Sequence, residues 1–192
     1  VADSIQGSGS GIESVNGLAM GKSNEFYLTG VYGPEFTLGA KSVSGVSPVV
    51  NAYLAKVDGN FSTQWIKTIG GGGFNRGESV AVSSKGRAFF VGSYTGTAHF
   101  DERSLTSAGG ADAYLVEFDQ RGNVLRLFSH GGTLGDAGTA VALALAPCAL
   151  GVSGIVLLAQ HYTHIPDCAS PYRAWCIVMT ILSFTAAKHA AN

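Results

Sequence analysis

His161, His164, Asp167 and Cys168 form the one run in this 192-residue chain that gathers metal-ligand side chains at short spacing. Imidazole, carboxylate and thiolate donors of this kind could take up zinc, but a zinc site needs four placed donors, and nothing here fixes a second pair. The run reads as a polar loop between two apolar segments. Asp58 and Asp119 recur at one position of a repeated sequence and raise the question of calcium. A calcium loop would have the pattern D-x-[DN]-x-[DN]-G. Asp58 leads instead into Gly59-Asn60, and Asp119 into Gln120-Arg121-Gly122-Asn123, so both aspartates read as turn caps. Gly70 to Gly73 could suggest a phosphate cradle, but no Gly-Lys-Ser/Thr and no helix start comes after it. No Ser-His-Asp or paired-carboxylate arrangement clusters. The sequence therefore marks no catalytic, cofactor-binding or metal-binding residue.

Cys148, Cys168 and Cys176 all sit in the last third. Their odd number and the lack of C-x-x-C support neither a disulfide framework nor a zinc site, and a local bridge between Cys168 and Cys176 stays open. Twelve basic and thirteen acidic residues give a net charge of −1. With no basic stripe, nucleic acid is not an expected partner. Charged residues are 13% of the chain and glycines number 27, a turn-rich β composition, since glycine weakens helix interiors and enters turns freely. The mean hydropathy of +0.22 is carried mainly by the C-terminal third. The start at Val1, without methionine or a basic-then-apolar leader, reads as a processing boundary.

The elements that must position these residues come in copies. GLAMGKSNEFYLTGVY (17–32) matches SVAVSSKGRAFFVGSY (79–94) at an offset of 62. NAYLAKVDGNFSTQWIKTIGG (51–71) matches DAYLVEFDQRGNVLRLFSHGG (112–132) at an offset of 61. A fixed internal period decides architecture before any single motif does. Within each copy, short apolar runs end in turn residues. Leu18 to Met20, Phe26 to Thr29, Tyr53 to Val57 and Gln64 to Ile69 predict four strands, with Val80 to Val82, Phe89 to Val91, Tyr114 to Phe118 and Leu125 to Ser129 as their counterparts. Gly33 to Val50 reads as a connecting excursion with at most a brief edge strand. Tyr53, Ala55 and Val57 keep an apolar face that Tyr114, Val116 and Phe118 repeat. Lys56 on the other face becomes Glu117, which suggests that this face meets solvent or a polar seam. Tyr32 and Tyr94 recur with the period and read as packing residues. Trp65 and Lys67 stand where Arg126 and Phe128 do, a looseness that suits a half-buried edge strand.

Four short antiparallel strands per sixty-odd residues describe a β-propeller blade. The expected fold is all-β: tandem four-stranded antiparallel blades of an incomplete, open or fragmentary β-propeller. The run from GESVAVSSKGRAFFVGSYTGTAHF through SLTSAGGADAYLVEFDQRGNVLRLFSHGGTLGDAG resembles the SBBP family, the propeller-type repeats of bacterial surface and secreted proteins. The likeness covers residues 17–141 and is densest over 77–138. It implies seven-bladed propellers and an extracellular or cell-surface location. One departure is Arg126, where the last strand of the first copy has Trp65.

The expected organisation is a tail of a preceding blade or linker over 1–16, repeats over 17–76 and 77–137, and a divergent third repeat over 138–192. The tail reading rests on Ile5-Gln6-Gly7, which looks like Ile69-Gly70-Gly71. Gly138 to Ala142 matches Gly77 to Ala81 at offset 61, and Tyr162-Thr163 would then match Tyr94-Thr95. The alternative is a transmembrane helix over 139–160, because an uncharged apolar run of about 20 residues is long enough to span. The expected function is a non-enzymatic repeat scaffold of a secreted or cell-surface protein that binds a protein or glycan partner. The alternatives are a propeller-hub enzyme fragment, a hydrolase or lyase, and a membrane-tethered surface protein held through 139–160. Because propellers close with about 4–8 blades, missing blades or self-association are expected.

Overall fold

The computed structural model describes residues 4–46, 50–145, 153–161 and 177–182, with the backbone alone described from residue 144 onward. The described residues form strands joined by turns and one 3₁₀ turn at Lys22–Asn24, and the fold is all-β. The first repeat holds β2 (Ser14–Met20), β3 (Phe26–Tyr32), β4 (Glu35–Leu38), β5 (Lys41–Ser44), β6 (Asn51–Val57) and β7 (Thr63–Gly71), after a short β1 (Gly7–Gly9). The second holds β8 (Asn75–Val82), β9 (Ala88–Tyr94), β10 (Thr97–Phe100), β11 (Arg103–Thr106), β12 (Asp112–Phe118) and β13 (Val124–His130). After these come β14 (Asp136–Leu145), β15 (Ser153–His161) and β16 (Ile177–Leu182). All the pairings among them are antiparallel.

Each of the first two repeats lays down four strands in the same order, β2-β3-β6-β7 and β8-β9-β12-β13, and β10 and β11 extend the first beyond β7 into a six-stranded sheet. A third sheet begins alike, as β14-β15-β16. The copies agree down to their irregularities. Asn16, Glu78 and Thr139 are each the extra residue of a bulge in the first strand of their sheet, spaced 62 and 61 apart. A bulge sharpens the local twist and re-aims a side chain. Asn16 accordingly reaches out of its own sheet, its Nδ2 donating to Gly77 O at 2.8 Å.

The sheets pack face to face, and the core lies between them. Tyr27, Ala52, Leu54 and Ile69 of the first sheet meet Val80, Phe90, Tyr114, Val116 and Phe118 of the second. The far face of the second sheet, with Phe89, Val91 and Leu115, meets Val141 of the third. The same contact recurs from one interface to the next. A Cβ on Gly77 would press on Thr29, and one on Gly138 would lie 3.3 Å from the Cβ of Val91. Gly138 is the counterpart of Gly77, and Val91 that of Thr29. Glycine stands at these positions because another sheet's second strand comes against the backbone there.

The excursion expected over 33–50 is a hairpin instead. β4 and β5 pair with each other, and β4 also pairs with β1. Their counterparts β10 and β11 do the same, with β10 pairing the end of β7. Each hairpin is therefore covalently part of one sheet and hydrogen-bonded to the outer strand before it. Four-residue strands around Gly39, held at φ +59°, carry too little periodicity to be read as strands from sequence. The register also moves two sequence matches. Gly7, Ser8 and Gly9 face Leu38, Thr37 and Phe36 as Ile69, Gly70 and Gly71 face Phe100, His99 and Ala98. Gly7 thus stands at the place of Ile69, two residues from the match that the glycines suggested. Asp136 pairs with His161 as Asn75 pairs with Tyr94, so His161 and not Tyr162 holds that position.

The transmembrane helix considered over 139–160 is corrected by β14 and β15, which take up Thr139–Leu145 and Ser153–Gln160 as paired antiparallel strands. Small and β-branched apolar residues in paired strands give an uncharged run as readily as a membrane span does. Among the described residues no helix is long and apolar enough to cross a membrane.

Candidate functional surface

The polar side chains that recur with the period are engaged within the fold. The Asp58 carboxylate accepts from Asn60 N and Ser62 N, both at 2.9 Å. Asp119 accepts from Arg121 N and Asn123 N, both at 2.8 Å. Burial tends to raise the Asp119 carboxyl, but the hydrogen bonds from Asn123 and Arg121 outweigh it and hold the group below its ordinary value. Both aspartates cap their turns, as the spacing indicates.

Of the recurring tyrosines, Tyr53 and Tyr114 serve the backbone, while Tyr94 Oη lies 2.7 Å from the Ser129 hydroxyl. Tyr53 Oη donates to Ser14 O at 3.1 Å and Tyr114 Oη to Arg76 O at 2.8 Å. Each ring crosses the sheet over a facing glycine, Gly30 or Gly92. A Cβ on either glycine would collide with the same carbonyl that the tyrosine uses. Aromatic and glycine are thus one device, the ring covering a strand that the bulge bends away. Burial pushes the Tyr53 hydroxyl up to about 12 and raises Tyr114 well above the usual phenol value, with Glu78 adding to the latter. Both stay neutral donors.

Lys56 and Glu117 are neither solvent-facing nor free. Lys56 is 7% exposed and Glu117 4%. Lys56 Nζ lies 2.7 Å from Glu25 Oε1, while Glu117 Oε1 lies 2.8 Å from Arg87 Nη1. Arg87 is the counterpart of Glu25, 62 residues on, so the two copies hold the same ion pair with its charges reversed. Arg126 Nε adds a second cation 3.4 Å from Glu117 Oε2, where the first copy sets Trp65 edge-on to Tyr27. Desolvation opposes the charge of Lys56, but Glu25 and Tyr27 more than restore it, and its pKa lies above the ordinary value.

One surface stands apart from these internal pairings. Leu18 and Met20 are 60% and 63% exposed on the face that carries Leu28 and Phe26. Their counterparts Val80 and Val82 lie against the first sheet, and Val80 is only 6% exposed. Beside Leu18 and Met20 opens a groove of about 330 Å³, lined by Ile5, Val15, Leu28, Phe36, Leu38 and Tyr53. It is an apolar sheet face with a cluster already formed behind it, in which Tyr32, Phe36 and Tyr53 pack ring on ring.

Among the described residues no group of three or more His, Cys, Asp or Glu is placed to hold a metal ion. Of the run at 161–168, only the backbone of His161 is described, in β15. His164, Asp167, Cys168, Cys148 and Cys176 lie outside the described residues. Gly70 and Gly71 end β7, where they pair with β10. Sequence reasoning misses the reciprocal pairs of Lys56 and Glu117, although the paired sign change at Glu25/Arg87 is visible in the aligned copies. No protein-family model matches the chain, and no curated protein matches it in sequence.

Proposed function

We propose that this chain is a non-enzymatic repeat scaffold, a run of propeller-type blades of the SBBP kind from a secreted or cell-surface protein, that presents surfaces for protein or glycan binding. The observation that carries this reading is the repeated contact between sheets. Gly77 meets Thr29 and Gly138 meets Val91, equivalent residues of equivalent strands, which is how stacked units of one kind propagate. Further support comes from where the polar groups go: aspartates into turns, tyrosine hydroxyls onto backbone carbonyls, and buried charges into reciprocal pairs. A ring of about 4–8 such units closes only with more sheets than this chain describes, so the scaffold works with additional copies.

The test is a turnover screen of the purified chain against polysaccharides, aryl glycosides and carboxylic esters. The expected result is no product above buffer. Turnover that scales with protein concentration and disappears on heating would overturn the reading in favour of a hydrolase or lyase built on the same hub.

A further inference from the structure

We propose that the exposed face of the first sheet is the seat of one more repeat of this same kind, the one whose last strand runs into β1. The second sheet shows what such a face is for. Its Val80, Ala88 and Phe90 are buried against Tyr27, Leu54 and Ile69 of the sheet before. The positions 62 residues earlier are Leu18, Phe26 and Leu28, and there Leu18 stands 60% exposed. They have the same apolar chemistry, the same pleat and the same bulge at Asn16, but lack the covering sheet and carry Val15 where the second and third sheets have Gly77 and Gly138. β1 identifies the occupant. It pairs with β4 in the register by which β7, the outer strand of the first sheet, pairs with β10. β1 therefore holds the place where a preceding sheet's outer strand ends, and that sheet would lie over the groove at Ile5, Val15, Leu28 and Tyr53.

A second copy of the chain fits the face less well, because the outer-strand position beside β4 is already filled by β1 in the observed chain direction. The inference rests on reading the repeats as stacked units but not on their being non-catalytic, so turnover in the screen above would leave it standing.

The chain carries its own probe, since Met20 is 63% exposed on this face. Hydrogen peroxide converts an exposed methionine thioether to the sulfoxide and is itself reduced to water. In the chain as it stands, mass-spectrometric mapping should show Met20 oxidised at close to the rate of free methionine, independent of protein concentration. Next, residues 14–71 are inserted in place of residues 1–9, which sets Thr63–Gly71 where residues 1–9 stood. Met20 of the original repeat should then oxidise at least about tenfold more slowly. A matching graft with Leu54→Asp in the inserted copy should lose that protection. Unchanged oxidation in the first graft, or equal protection in both, would overturn the proposal. Protection of the ungrafted chain that grows with concentration would assign the face to a second copy instead.

Discussion

At the level of single residues, the informative comparison is within the chain. Lys56 with Glu25 and Glu117 with Arg87 do one job with opposite signs. A mostly buried ion is tolerated only while its partner is there, and removing one member of a buried pair costs about 3–5 kcal/mol. Lys56→Glu should therefore destabilise by roughly that much, since it sets two carboxylates together in a poorly solvated seam. Lys56→Glu combined with Glu25→Arg copies the second repeat and should recover most of the loss in a urea denaturation series. Equal midpoints for the single and double variants would show that the pair carries no specificity. The expectation of a solvent-facing or polar seam at Lys56 and Glu117 holds in part. The seam is polar, but it is shut, because each partner comes from the end of a neighbouring strand that the period-two pattern does not describe.

At the level of elements, the four sheet strands of each copy are legible because aromatic and β-branched runs end in Asp, Gly or Asn turns. Asp58 and Asp119 cap those turns as their spacing implies. The hairpins β4–β5 and β10–β11 are not legible. Their strands are four residues long, and the strand each joins, β1 or β7, is distant in sequence. Their packing also trades positions between copies. Phe36 and Leu38 in the first become Ala98 and Phe100 in the second, with a ring contact to Tyr53 and Tyr114 kept at centroid distances of 4.5 and 5.3 Å, tilted in the first and edge-on in the second. A swap of that sort keeps one ring beside the tyrosine while it erases identity position by position. The Gly92/Tyr114 device gives a direct check. A methyl at Gly92 meets the Arg76 carbonyl and the Tyr114 ring, so Gly92→Ala should cost about 1–3 kcal/mol by overpacking. An unshifted melting midpoint would show that the ring does not depend on the missing side chain.

At the level of the whole molecule, one relation is used twice. The first sheet stands to the second as the second stands to the third, through the glycine of one first strand and the second strand of the sheet before. The sequence announces the third unit through Gly138 to Ala142 and then loses the period, because apolar residues replace the turn residues that mark strand ends. Only the register of β14 with β15 restores it, shared bulge included. Disulfide trapping at the two interfaces tests the relation most directly. With Cys148, Cys168 and Cys176 replaced by serine, one variant carries Thr29→Cys and Gly77→Cys and the other Val91→Cys and Gly138→Cys. A Cβ at 138 lies 3.3 Å from that of Val91 and one at 77 lies against the Thr29 side chain, close to the usual disulfide spacing of about 3.5–4.5 Å, so both pairs should close on mild oxidation, as read by intact mass and thiol titration. Closure of the first pair with an open second pair would contradict the account, since the third sheet would then not repeat the contact that joins the first two.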